Sequence, residues 1–150
     1  MKNEIGHGQM PQDRLTIVKA LAEKLRGESF DVLANHPAWE HGNPISIFGV
    51  VPDVVASKGH QRYTFMIEDE GSFLNINQLR QRLASILQFP RENVYLVVPV
   101  EIVWQGRCIN PVRHMRERTQ NWGYNVKIAT YDRTSQCFNF NPWKDLGANP

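Results

Sequence analysis

The sequence predicts an α/β domain with a mixed central sheet flanked by helices. Its core has the order α-β-β-β-α-β, and a further helix and strand follow. Two observations lead to this prediction. From about residue 62 to 100 the pattern is strand, helix, strand, and that crossover requires a parallel pair of strands. The strand pattern just before it is joined by a short Gly-containing turn, which requires an antiparallel pair.

Three helices are predicted from apolar residues at helical spacing and from residues that cap or break helices. In the first helix, one apolar stripe runs through Leu15, Val18, Ala22 and Leu25, and Gly27 is expected to end it. The expected bounds of the three helices are Asp13 to about Leu25, Asn75 to just before Pro90, and Pro111 to about Asn121.

Five segments rich in β-branched and aromatic residues are predicted to form strands. The sequence KGH between the second and third segments predicts a hairpin that turns at about Gly59 and His60. The fourth segment is the most continuous apolar run, as expected of a central strand covered on both faces. The segments are SFDVLANHP (29–37), ISIFGVVPDVVAS (45–57), QRYTFMIEDE (61–70), NVYLVVPVEIV (93–103) and NVKIATYD (125–132).

Length and composition indicate one globular domain. The chain has 150 residues, of which 41% are hydrophobic and 21% charged. We expect a flexible leader over residues 1–11, a single domain over 12–140 and an irregular tail over 141–150. The net charge of +2 neither predicts nor excludes a nucleic-acid partner, which only local clusters of charge can indicate.

The sequence contains no apolar run long enough to span a bilayer and no apolar signal-peptide core at its start. Cys108 and Cys137 lie far apart and match no zinc spacing, so they are expected to be free thiols. These features predict a soluble, cytoplasmic protein with no membrane contact.

Carboxylates gather where the predicted hairpin ends. Asp53 lies in its first strand, and Glu68, Asp69 and Glu70 end its second. Because side chains alternate along a strand, Glu68 and Glu70 share one face. A turn at residues 59–60 would place Asp53 opposite or nearly opposite Glu68, which predicts a cluster of three carboxylates, although a slip of one residue would reverse the faces.

Such a cluster needs a compensating cation, a raised pKa or open solvent, because like charges in a half-buried sheet repel. Carboxylate oxygens suit Mg²⁺ or Mn²⁺, which activate water and stabilise charge on phosphoryl oxygens. The simpler alternative is that EDEG (68–71) is the solvated end of a strand that enters a loop.

In these residues the sequence resembles the PD-(D/E)XK, or restriction-endonuclease-like, nuclease superfamily. Pro52-Asp53 and Glu68-Asp69-Glu70 match its short motif in spacing, and the order of elements over residues 13–132 is similar to its core. The resemblance implies an endonuclease or exonuclease that hydrolyses DNA with Mg²⁺ or Mn²⁺. It implies that Asp53 and Glu68 bind the metal and that the main-chain carbonyl of Asp69 adds a ligand.

The third motif position departs from the superfamily pattern, because Glu70 stands where Lys is expected. That Lys ordinarily orients or activates the attacking water and offsets charge in the transition state. Glu70 would instead complete the catalytic cluster as a ligand through water or as a weak general base. Gln78, Gln81 and Arg82 on the second helix are candidate neighbours of the site, with nothing in the sequence to choose among them.

Basic residues gather around the third predicted helix. A solvated helix face is the default interpretation of such a run. In a nuclease they would hold the phosphates, which supply most nucleic-acid affinity. The residues are Arg107, Arg113, Arg116 and Arg118.

Three hypotheses for the function follow. The first is a metal-dependent nuclease acting on DNA; at 150 residues there is little room for a separate specificity domain, so it would work as a homodimer or beside a partner. The second is a catalytically degenerate nuclease fold that serves as a nucleic-acid-binding or protein-interaction module, as the missing Lys suggests. The third is an unrelated α/β protein with a chance Pro-Asp and an acidic turn.

Overall fold

A computed structural model describes the backbone of residues 4–69, 71, 75–88 and 93–142, and the side chains from residue 14 onward in those ranges except that of Trp104. In this part of the chain the predicted order α-β-β-β-α-β-α-β is present, and three short strands that the sequence did not predict are added to it. In chain order they are α1 (Glu4–Gly27), β1 (Asp31–Ala34), β2 (Val54–Lys58), β3 (Gln61–Ile67), α2 (Ile76–Ile86), β4 (Asn93–Pro99), β5 (Ile102–Trp104), β6 (Arg107–Ile109), α3 (Pro111–Trp122), β7 (Lys127–Asp132) and β8 (Cys137–Asn139).

Six of these strands form one mixed sheet in the order β1-β2-β3-β4-β7-β8. The pairs β1–β2, β2–β3 and β7–β8 are antiparallel, whereas β4 pairs in parallel with both β3 and β7. Strands β5 and β6 form a separate hairpin. The mixed sheet predicted from the hairpin and the crossover is therefore confirmed.

Helices cover both faces of the sheet. Along β4, Val97 packs into an apolar cluster with Leu21 of α1, whereas its neighbours Leu96 and Val98 pack into a second cluster with Leu83 of α2. Helix α3 contributes to the second cluster as well. Because successive side chains of a strand point to opposite faces, α1 lies on one face of the sheet, and α2 and α3 lie on the other.

The second strand is shorter than the sequence predicts. The expected strand spans residues 45–57, but β2 begins only at Val54. Before it, Ile47 and Val50 bond to each other across a tight turn in which Phe48 and Gly49 both have positive φ. Two positive φ angles are typical of a type I′ hairpin turn, which reverses the chain and ends any longer strand there.

The hairpin turn between β2 and β3 is confirmed, because Lys58 pairs with Gln61 and leaves a two-residue connection at Gly59 and His60. The long apolar segment 93–103 does not form one strand. Strand β4 stops at Pro99, and Ile102 starts the β5–β6 hairpin, in which Gln105 and Gly106 supply a turn of positive φ.

Helix α3 begins where Pro111 predicts, with the Asn110 side chain accepting a hydrogen bond from the backbone N–H of Arg113. Helix α1 begins at Glu4 rather than at Asp13, so it runs through most of the segment expected to be a leader. It does so against the local preference of Pro11, which lacks the N–H that a helix interior uses. No helix within the described ranges is long and apolar enough to cross a membrane.

Candidate functional site

The site lies at the end of the sheet where β2 begins and β3 ends. Asp53 directly precedes β2 rather than lying within it, since the chain enters this strand through Pro52, which has no N–H to donate to a ladder. The backbone of Asp53 is nevertheless anchored to both neighbouring segments: its N–H donates to the carbonyl of Phe65 at 3.1 Å, and its carbonyl accepts from the N–H of Asn35 at 2.8 Å. The position of Asp53 is therefore set by the main chain.

The Asp53 carboxylate is bound by Arg14 of α1. Arg14 Nε donates to Oδ1 at 3.2 Å, and Nη2 donates to Oδ1 at 3.0 Å and to Oδ2 at 2.8 Å. Oδ2 also accepts the backbone N–H of Ile67 at 2.7 Å. Both carboxylate oxygens are thus occupied by N–H donors inside the protein.

A second pair forms at the other strand. Glu68 directly follows β3, and its N–H donates to the carbonyl of Val97 at 2.9 Å, which keeps it beside β4. Arg82 of α2 binds its carboxylate through two parallel bonds, Nη1 to Oε2 at 3.2 Å and Nη2 to Oε1 at 2.9 Å. This bidentate geometry is the strongest arrangement between arginine and a carboxylate.

The two pairs influence each other. The pKa of Asp53 lies above its ordinary value: burial raises it most and the charge of Glu68 raises it further, while Arg14 and the N–H of Ile67 oppose both effects. Burial disfavours the charge of Arg14, but Asp53 and Glu68 outweigh that effect and raise the pKa of Arg14. The N–H donors around Asp53 favour its ionised form, so we describe the pair as two charges.

The compensating cations for these carboxylates are therefore arginines. The described residues include no group of three or more His, Cys, Asp or Glu side chains that could hold a metal ion. Each oxygen of Asp53 and Glu68 already accepts a guanidinium N–H. In this pairing the two carboxylates do not fit a divalent cation, which needs oxygen ligands directed at itself.

The remaining acidic positions are less informative. The side chain of Asp69 accepts the N–H of Gly71 at 2.9 Å and so shapes the turn after β3. Glu70, predicted to complete the cluster, lies outside the described residues. The register pairs Val54 with Phe65, which puts Asp53 level with Met66 and makes it a diagonal neighbour of Glu68 rather than its direct partner.

The predicted arginine cluster is spread over the surface. Arg107 lies exposed in β6, and Arg113 and Arg116 lie one turn apart on α3. Arg118 follows Arg116 by two residues, which places it about 160° around the helix from Arg116. These arginines therefore do not form a single stripe on α3.

Sequence analysis missed Arg14. Arg82 is among the three candidates on the second helix that the sequence offers, whereas Arg14 is not among the predicted site residues. A signal for Arg14 exists, because Val18, Leu21 and Leu25 follow it at i+4, i+7 and i+11 and are all buried. An arginine in line with a buried stripe indicates a charged group directed at the sheet.

The comparisons with known proteins reveal a likeness of fold. No protein-family model and no curated protein matches the chain. The crystal structure of an XisH family protein from Nostoc punctiforme PCC 73102 is similar, with a TM-score of 0.50. It is 17% identical, and the match covers 84% of this chain and 95% of that one. At that identity the likeness concerns the fold alone.

Proposed function

We propose that this chain is a nuclease-fold protein that binds the phosphodiester backbone of DNA without cleaving it. The fold is the first support. The XisH family protein to which the chain is similar has a restriction-endonuclease-like fold. The order α-β-β-β-α-β is consistent with that fold. Fold alone does not decide function, so the proposal depends on the chemistry of the site.

The observation that carries the proposal is the pairing of both motif carboxylates with arginine. Asp53 is bound by Arg14, and Glu68 is bound by Arg82. A metal ion would have to displace both guanidiniums from carboxylates that are already neutralised. In addition, the motif Lys is replaced by Glu70, so the group that ordinarily assists the attacking water is missing from the motif.

Binding of nucleic acid is supported by the guanidinium donors of Arg14 and Arg82, which are partly exposed at the site. Most protein–DNA hydrogen bonds go to phosphate and sugar, and arginine is well suited to phosphate because its donors form a rigid fork. Arg107, Arg113 and Arg118 are exposed and could add contacts to the backbone. This mode of binding carries no sequence specificity by itself.

A metal-dependent nuclease is the second candidate, and one observation favours it. The strand register puts Asp53 level with Met66, two residues before Glu68, so the two motif carboxylates are diagonal neighbours on adjacent strands. If the arginines released them, Asp53, Glu68 and the carbonyl of Asp69 could hold Mg²⁺ or Mn²⁺, with Glu70 beside them in sequence.

Calorimetry and a cleavage assay separate the two candidates. Mn²⁺ and Mg²⁺ are titrated into the wild type and into Asp53→Asn, with and without DNA, and the same proteins are incubated with branched, nicked and single-stranded DNA. The proposal expects DNA binding that survives EDTA, with neither metal binding nor cleavage. Metal binding and cleavage that are both lost in Asp53→Asn would establish the nuclease instead.

Sedimentation velocity with and without DNA measures whether two copies act together, as the homodimer hypothesis requires. The cytoplasmic location expected from the sequence stays a prediction.

A further inference from the structure

We infer that Arg14 and Arg82, here called the arginine pair, hold a backbone phosphate of the nucleic acid at the place where the sequence resemblance puts a metal ion. Asp53 and Glu68 would then be positioning residues that orient the arginine pair. This inference rests on the proposed function and deepens it, since it names the residues that bind the phosphate and assigns the carboxylates a role other than metal binding.

The first argument is the contrast in exposure within each pair. The side chain of Asp53 is 5% exposed and that of Arg14 is 32% exposed. The side chain of Glu68 is 1% exposed and that of Arg82 is 33% exposed. In both pairs the carboxylate is inside and the guanidinium reaches the surface, so an anion from solvent meets the arginine and not the acid.

The second argument is the set of donors that remains. Arg14 binds Asp53 through Nε and Nη2, so Nη1 stays outside that interaction. Arg82 binds Glu68 through Nη1 and Nη2, so Nε stays outside it. A guanidinium has five N–H donors in a fixed fork, so one that is fixed on its inner edge still presents directed donors on its outer edge.

The third argument is that the pairs converge from different layers. Arg14 comes from α1 on one face of the sheet, and Arg82 comes from α2 on the other. Both arginines interact with Glu68. Arg82 binds its carboxylate directly, and the charge of Glu68 is among the causes that raise the pKa of Arg14. The two guanidiniums therefore flank the same end of the sheet, where one tetrahedral anion could accept donors from both.

The net charge of the four groups is zero, and Asp69, whose charge also raises the pKa of Arg14, adds a negative charge nearby. Two ionised carboxylates cancel two guanidiniums, so attraction by net charge is not what would recognise the phosphate. Recognition would depend on donors held in place by buried carboxylates, as preorganisation requires. A variant that removes one acid and one arginine together leaves the net charge unchanged and tests this point.

The experiment uses fluorescence anisotropy with a labelled 20-base-pair DNA duplex, once in EDTA and once with Mg²⁺ or Mn²⁺, at fixed ionic strength because phosphate binding depends on salt. Single strands of DNA and RNA of the same sequence show which nucleic acid provides the phosphate. The two test variants are Asp53→Asn with Arg14→Gln, and Glu68→Gln with Arg82→Gln. The control is Lys24→Gln with Glu28→Gln, which removes an exposed ion pair at the end of α1 and, like the test variants, leaves the net charge unchanged.

Each test variant is expected to bind about tenfold more weakly than the wild type, as the loss of charge-assisted hydrogen bonds implies, and the control is expected to bind as the wild type does. Circular dichroism and thermal unfolding establish that the variants are folded. If a double variant is unfolded, Arg14→Lys or Arg82→Lys replaces it, since lysine keeps the charge and loses the fork. The lysine variants should also bind more weakly.

Three results would overturn the inference, and they are distinguishable from failure of the proposed function. Wild-type affinity in folded test variants would mean that the two pairs only tie α1 and α2 to the sheet. Binding that requires Mg²⁺ or Mn²⁺ would mean that a metal holds the phosphate. Equal loss in the control and the test variants would mean that the effect is not local. By contrast, a wild type that binds none of the three probes would refute the proposed function itself.

Discussion

Glu68 and Arg82 form a bidentate ion pair in which the acid is 1% exposed and the base 33% exposed. They lie 14 residues apart, one at the end of β3 and the other in α2. The carboxylate is therefore a charge inside the protein whose neutralising partner comes from a different layer. A single substitution of Arg82 removes both guanidinium hydrogen bonds from a buried carboxylate.

Arg82→Ala should lower the free energy of unfolding by about 3 kcal/mol, the lower end of the range for breaking a buried pair, because Arg82 itself is partly solvated. Urea denaturation measures the change. Glu68→Gln combined with Arg82→Gln should recover much of the loss, since the buried charge is removed together with its guanidinium partner. A loss below about 1 kcal/mol in Arg82→Ala would indicate that solvent reaches Glu68, against the burial described here.

Asn110→Ala should destabilise the protein by about 1 kcal/mol, because the side chain that caps α3 is lost. The side-chain Oδ1 of Asn110 accepts a hydrogen bond from the backbone N–H of Arg113 at 3.2 Å. Asn121→Ala is the matched control, since Asn121 is exposed near the other end of the same helix and alanine favours helix. Chemical denaturation of both variants should separate them, and equal effects would show that the cap contributes nothing.

Gly123→Ala should cost about 1–2 kcal/mol, because Gly123 ends α3 in the left-handed conformation with φ of 76° and ψ of 23°. A Cβ there would meet no atom within 4 Å, so the cost is one of backbone conformation and not of space. Thermal unfolding monitored by circular dichroism gives the shift.

Gly27→Ala is expected to change the stability in the opposite direction. Gly27 is the last residue of α1, its φ is not in the positive range, and a Cβ there would also meet nothing within 4 Å. Alanine at this position should stabilise the protein by about 0.4–1 kcal/mol by restricting the unfolded chain. Destabilisation by both glycine substitutions would contradict the conformational explanation for Gly123.

Stability should fall as the pH drops from 6.5 through the folded-state pKa of His114. Burial lowers the pKa of His114 below 6.5, Arg118 lowers it further, and Glu117 opposes them. A group with a depressed pKa in the folded state binds its proton more tightly in the unfolded chain. Its contribution to stability is thus fully present above the unfolded pKa and is lost below the folded one.

Urea denaturation between pH 5 and 7 gives the slope of the unfolding free energy against pH for the wild type and for His114→Gln. The difference between the two slopes measures the effect of His114, because the other titrating groups contribute equally to both. Arg118→Gln should reduce the slope as well, because it removes a positive charge that disfavours the imidazolium. Identical slopes in the wild type and His114→Gln would refute the assignment to His114.

Local sequence patterns predicted the hairpin well because its determinants are local. Gly59 and His60 provide the turn, and the alternating strands on either side set the pairing of Lys58 with Gln61. The error in β2 has a local cause as well: Phe48 and Gly49 form a turn that apolar composition hides. The β5–β6 hairpin was missed for the same reason, since Gln105 and Gly106 reverse a chain that reads as one strand.

The sequence by itself determined the α-β-β-β-α-β order of the core, the mixed pairing of the sheet, and the arrival of Asp53 and Glu68 at one end of it. Only the tertiary structure decided what neutralises those carboxylates. Arg14 lies 39 residues from Asp53, and its contact exists because α1 packs on one face of the sheet while α2 brings Arg82 from the other. Helical and strand periodicities act over a few residues, whereas the choice of a charge partner depends on how separate layers pack.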